Sequence, residues 1–159
     1  MAQEAENADV WSLCNAIDES DVAAVQHLIA TNSTDMRSRS SSWLRIGLRR
    51  AIKYHRMLIA RMLIDVGADV NATGKNGRSL LHDAVEKIDV RNVRLLLDNG
   101  ANVRAADRRD NEPLHMLRSF IDTYTSVTRE ESDDEHKEPS RLALSALEIA
   151  KALLAAGAN

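Results

Sequence analysis

Aromatic side chains are scarce in this chain, at 3% of 159 residues, although hydrophobic residues overall reach 44%. A core built from Leu, Ile, Val and Ala suits closely stacked helices better than a sandwich or barrel, whose strands favour β-branched and aromatic residues. Cysteine is scarcer still: the single Cys14 excludes an internal disulfide framework. No apolar run approaches the ~20 residues needed to span a bilayer. The opening stretch "MAQEAENADVW" lacks the basic-then-apolar order of a signal peptide. A formal net charge of -3 gives no global case for a nucleic-acid or membrane partner. These absences point to an intracellular protein, in cytoplasm or nucleus, of a length that normally makes one domain.

What the chain does have is repetition. "ARMLIDVGADV" (60–70) lies over "VRLLLDNGANV" (93–103), with Gly67 recurring as Gly100 and His82 as His115, both at a spacing of 33. The tail adds "LEIAKALLAAGAN", with Lys151, Leu153, Leu154 and Gly157 in matching places. Near the start, "DVAAVQHLIATN" carries the same stripe, with Asn32 where Gly would stand. Asn is the next-best residue for a left-handed helix end. A fixed period of this size signals a repeat architecture. Each copy reads as a short helix, a tight turn, a second helix ending at Gly, and a polar link such as "NATGKNGR". Ser79 is a candidate N-cap and Pro113 fits a first helical turn. One such hairpin cannot bury its apolar face alone, so the copies must stack. Four units follow, at about 8–35, 42–74, 75–107 and 108–159, the first degenerate.

With Ser79-Leu80-Leu81-His82 in the third unit and Pro113-Leu114-His115 in the fourth, the chain resembles the ankyrin repeat family. The resemblance is strong over 43–117 and weaker over 8–35. It implies an all-α solenoid of stacked helix-turn-helix units with hairpin-like links. It also implies that His82 and His115 hydrogen-bond the backbone of a neighbouring link.

Two features depart from a plain array. The fourth unit needs 42 residues from His115 to Gly157, where the third needs 18 from His82 to Gly100. The excess centres on "TREESDDEHKEPS", which holds six acidic residues and no aliphatic one. Such a segment cannot repay its ordering entropy, so disorder is expected over 123–139, with helix resuming at Ser140. The last unit also has no polar cap. This favours a fragment of a longer protein, and leaves association through the uncapped C-terminal face open beside a monomer.

No constellation carries catalysis. "TGKNG" places Asp69 where a phosphate loop needs Gly and Asn76 where it needs Ser or Thr. His82 and His115, on stacked helices about 8–10 Å apart, cannot share a zinc ion that stands ~2 Å from each ligand. Cys14 with His27 as its base is a possible nucleophile, but Cys14 lies in an apolar stripe, where a thiol acts as a small hydrophobe. No enzyme, metal or cofactor is expected.

Binding is the alternative. In ankyrin proteins the residues one, four and five places after the His position face a concave groove. The resemblance therefore implies Arg50, Lys53 and Tyr54, then Asp83, Glu86 and Lys87, then Met116, Ser119 and Phe120. Lys75, Arg78, Arg108 and Arg109 sit at link tips. Phe120 divides evenly between groove and core packing. From Arg37 to Arg61 the chain holds eight Arg or Lys and no Asp or Glu. Arg50 and Lys53 are expected in the groove, with Arg45 and Arg61 facing elsewhere. An acidic protein surface is the expected partner. The alternatives are nucleic acid or another polyanion on the 37–61 stretch, and masking by the chain's own 130–138 segment.

Overall fold

The computed structural model describes residues 2–32, 36–74, 76–130 and 141–158. Its helices are α1 (Ala2–Glu19), α2 (Val22–Asn32), α3 (Met36–Lys53), α4 (Met57–Asp65), α5 (Leu80–Glu86), α6 (Val90–Asp98), α7 (Pro113–Glu130) and α8 (Arg141–Ala155). They form four hairpins in two compact units, one ending at Ala72 and the other beginning at Thr73. No strand occurs among the described residues, only an isolated bridge between Thr73 and Ser79.

In the first unit α1 packs on α3 and α2 on α4. The interface is aliphatic, with Leu13, Ile17, Val25, Leu48, Ile52 and Leu63 fully buried. Trp43 on α3 donates its indole N–H to the Asp9 carbonyl of α1 at 3.2 Å. Gly47 lets the helices close: a Cβ there would stand 2.5 Å from Leu13 Cδ2. The second unit repeats the scheme, with α5 on α7 and α6 on α8 around Leu80, Leu81, Val93, Leu96, Ile149 and Leu153.

The repeat shows most clearly at the turns. Second helices end at Gly67, Gly100 and Gly157, with φ of 99°, 81° and 101°. In each case the next N–H reaches back across the glycine: Ala68 to the Leu63 carbonyl, Ala101 to Leu96, Ala158 to Leu153. This pattern satisfies carbonyls that a helix end leaves open. Between the two helices of a hairpin, Ser20, His55 and Ile88 take φ of 60°, 57° and 52°. For a branched residue such as Ile88 this conformation is costly, and its side chain is buried. Ser79 caps α5 as expected, accepting from the His82 N–H while the His82 ring accepts from the Ser79 N–H. Asp21 and Asp89 cap the helices after their turns through their Oδ1 atoms, accepting from Ala24 and Asn92.

Two boundaries differ from expectation. α3 begins at Met36, six residues before the unit boundary at 42, and α7 is helical through Glu130. α7 thus covers the first part of the expected 123–139 segment. No Gly or Pro lies between Pro113 and Pro139 to stop the helix. The remainder of that segment and Ser140 lie outside the described residues.

Candidate partner-binding site

In the first unit the candidate residues gather on α3. Asp18, near the end of α1, accepts from Arg50 in a two-pronged pair, Nε to Oδ1 at 2.7 Å. Its backbone carbonyl accepts from Arg56 at 3.0 Å. The Arg50 hydrogen bonds hold the Asp18 carboxyl below the usual carboxylate range, and the same contact raises Arg50. Tyr54, 41% exposed, has the Arg50 guanidinium 5.5 Å and the Lys53 ammonium 5.6 Å from its ring centroid. Such distances favour attraction between a cation and the ring face. Arg45, Ile46, Arg49, Arg50, Lys53 and Tyr54 together line a pocket of about 200 Å³.

Arg45 thus lines the same pocket as Arg50 and Lys53, and does not face elsewhere. Sequence reasoning also missed Asp18, which lies in the degenerate unit 32 residues before its partner. Arg49 occupies the position of His82, and its guanidinium donates to the Ala72 carbonyl at 3.2 Å. Cys14 is buried on α1, and burial pushes its thiol pKa up against the lowering influence of Arg50. His27 lies exposed on α2.

In the second unit two links meet. The link before α5 is a hairpin in which Gly74 N–H reaches the Arg78 carbonyl at 2.9 Å. In the link before α7 the Asp107 N–H reaches the Asn111 carbonyl at 3.0 Å. The Arg108 N–H donates across to the Asn76 carbonyl at 3.1 Å. Gly77, at φ 73°, leaves room for this approach, since a Cβ would stand 3.3 Å from Arg108 N. Asp107 Oδ1 accepts from the N–H groups of Arg109 at 2.8 Å and Asn111 at 3.0 Å. The Asn111 bond, followed by burial's opposing effect and then the Arg109 bond, leaves the Asp107 carboxyl below its usual range.

Fully buried His82 ties this link to α5. Its Nε2 lies 2.8 Å from the Asn111 carbonyl, and the Ser79 N–H points at its Nδ1. Because a carbonyl only accepts, Nε2 carries the proton. His115 differs: it is exposed, and its Nδ1 accepts from the Glu112 N–H at 2.9 Å.

The resulting pocket, of about 510 Å³, is lined by Asn76, Arg78, Asp107, Arg108, Arg109, Asn111 and Met116. Three expected link tips and one expected groove residue therefore come together. Arg78 also pairs with two expected groove acids, at 2.9 Å to Glu86 and 3.6 Å to Asp83. Lys87 is exposed and Phe120 half-buried. Lys75 and the Ser119 side chain lie outside the described residues. On α8, Leu144, Leu147 and Leu154 are more than half exposed. No group of His, Cys, Asp and Glu among the described residues could hold a metal ion. No described helix is long and apolar enough to cross a membrane.

Known proteins share the repeat. A family model for three copies of the ankyrin repeat matches residues 13–107. Inversin of Mus musculus is 35% identical over 96 residues, and inversin of Homo sapiens 34% identical over 96. These alignments cover 60% of this chain but only 9% of either inversin. Turns at Gly67 and Gly100, the Ser79–His82 cap, the paired helices and the family match agree: the chain belongs to the ankyrin repeat family.

Proposed function

We propose that this chain is a non-catalytic module that docks a protein partner on the faces of its first helices and on its link tips. Ankyrin repeats are protein-interaction modules, and the finer reading is supported by one observation above the others. In the second unit Arg108 and Arg109, on the link whose Arg109 N–H is held by Asp107, line a pocket of about 510 Å³ together with Met116. A methionine beside basic and amide groups offers an adaptable apolar anchor with a polar rim, the anatomy of an interface core. The module works inside the cell, in cytoplasm or nucleus.

Affinity capture with quantitative mass spectrometry tests this reading. Three baits are compared: the natural chain, an Arg108→Glu, Arg109→Glu, Met116→Ala variant, and Arg91→Glu on exposed α6. Proteins retained by the first and third baits but lost from the second support the pocket. An identical set on all three, with helical content unchanged, overturns it.

A further inference from the structure

The basic stretch of α3 has a division of labour that its sequence conceals. Within Arg37–Arg61 no acidic residue offsets eight basic ones. Several of these cations are committed to acceptors of the chain itself. Arg50 grips the Asp18 carboxylate, Arg56 donates to the Asp18 carbonyl, and Arg49 donates to the Ala72 carbonyl. Of the others, Arg45, Lys53 and Arg61 form no ion pair among the described residues, and Arg61 stands apart on α4. Arg45 and Lys53 both line the 200 Å³ pocket, beside the half-buried aliphatic Ile46 and the exposed ring of Tyr54. One water occupies about 30 Å³ of liquid, so the space suits a side chain or two rather than a helix or a duplex.

We propose that this pocket receives a Glu or Asp side chain of an acidic peptide segment, with Arg45 and Lys53 binding its carboxylate and Tyr54 and Ile46 packing its aliphatic stem. The proposal rests on the reading of the chain as a protein-binding module, and names the chemistry of the partner segment at α3. Charge complementarity carries it. The only carboxylate seen bonded to the cluster among the described residues, Asp18, meets Arg50 with both oxygens, the fork geometry that Arg offers to carboxylates and phosphates alike. A nucleic-acid backbone calls instead for a stripe of evenly available cations. Here Arg49, Arg50 and Arg56 are held on the chain's own acceptors, and two further cations, Arg45 and Lys53, share one recess.

The test is a fluorescence-anisotropy titration of the full chain with a labelled hexaglutamate peptide. Hexaglutamine and a single-stranded oligothymidylate of equal charge serve as comparisons. Arg45→Gln and Lys53→Gln should each weaken hexaglutamate binding about threefold to fivefold, and together about tenfold or more. Arg61→Gln, exposed on α4 in the same basic run, should change it less than about twofold. Arg45→Lys should retain more affinity than Arg45→Gln. Equal losses at Arg61 and Arg45, or oligothymidylate binding tighter than hexaglutamate, would overturn the carboxylate pocket in favour of a diffuse polyanion surface. Absence of hexaglutamate binding would overturn it too, yet leave the module reading intact, because the capture experiment addresses the Met116 pocket separately.

Discussion

His82 Nε2 lies 2.8 Å from the Asn111 carbonyl oxygen, joining the buried start of α5 to the link that displays Arg108 and Arg109. The imidazole also closes the cap of its own helix through Ser79. His115, one repeat later, is exposed and bonds only locally to Glu112 among the contacts of the described residues. His82→Ala should therefore cost about 2–4 kcal/mol, by leaving buried polar groups unsatisfied and opening a cavity. His115→Ala should cost within about 0.5. Urea titrations followed by circular dichroism compare the two, and equal losses would contradict the assigned roles.

The repeat register through the long fourth unit is tested by two adjacent residues. Leu153 is fully buried, whereas Leu154 is 54% exposed. Leu153→Ala should cost about 2–5 kcal/mol, as should Leu96→Ala at the equivalent buried place in α6. Leu154→Ala should cost less than about 1. A reversed order in thermal or urea unfolding would mean that α8 packs with another face.

Gly47→Ala should destabilise although Ala is the better helix former by about 1 kcal/mol. A new Cβ would meet Leu13 at 2.5 Å, and Leu13 is fully buried with little room to yield. Overpacking of this kind typically costs about 1–3 kcal/mol, so the net loss should be about 1. A rise in the melting temperature would show that α1 and α3 can part without penalty.

Much of this was legible before the fold was known. Gly67, Gly100 and Gly157 announce helix ends because the left-handed turn there favours glycine, and Ser79 announces a cap because its oxygen can serve a free N–H. The turns at Ser20, His55 and Ile88 share a conformation but no residue type, so local chemistry could not reveal them. The Arg50–Asp18 pair was hidden because Asp18 belongs to the degenerate first unit, where alignment is weakest. The continuation of α7 to Glu130 was obscured by acidic composition, although Ile121, Tyr124 and Val127 recur at helical spacing. Arg45 was misplaced because the groove positions were counted from the His position alone.

Acid should weaken both sites in a defined direction. The folded pKa of Asp18 is depressed by Arg50, and that of Asp107 by the Asn111 and Arg109 N–H groups. Each contribution is thus complete above the ordinary Asp value of about 3.9 and is lost as pH falls through the lowered folded value. Asp18→Asn should flatten the fall in melting temperature below about pH 4, and Asp107→Ala should do likewise. Variant curves running parallel to that of the natural chain would contradict these shifts.

The central claim is that a protein partner docks on the link tips and first-helix faces. Hydrogen–deuterium exchange of the chain, free and bound to a captured partner, tests it most directly. The account predicts new protection concentrated on the links at 76–78 and 107–111, at Met116 on α7, and along α3 from Arg45 to Tyr54. Protection confined to the exposed faces of α6 and α8, with those segments unchanged, would contradict it.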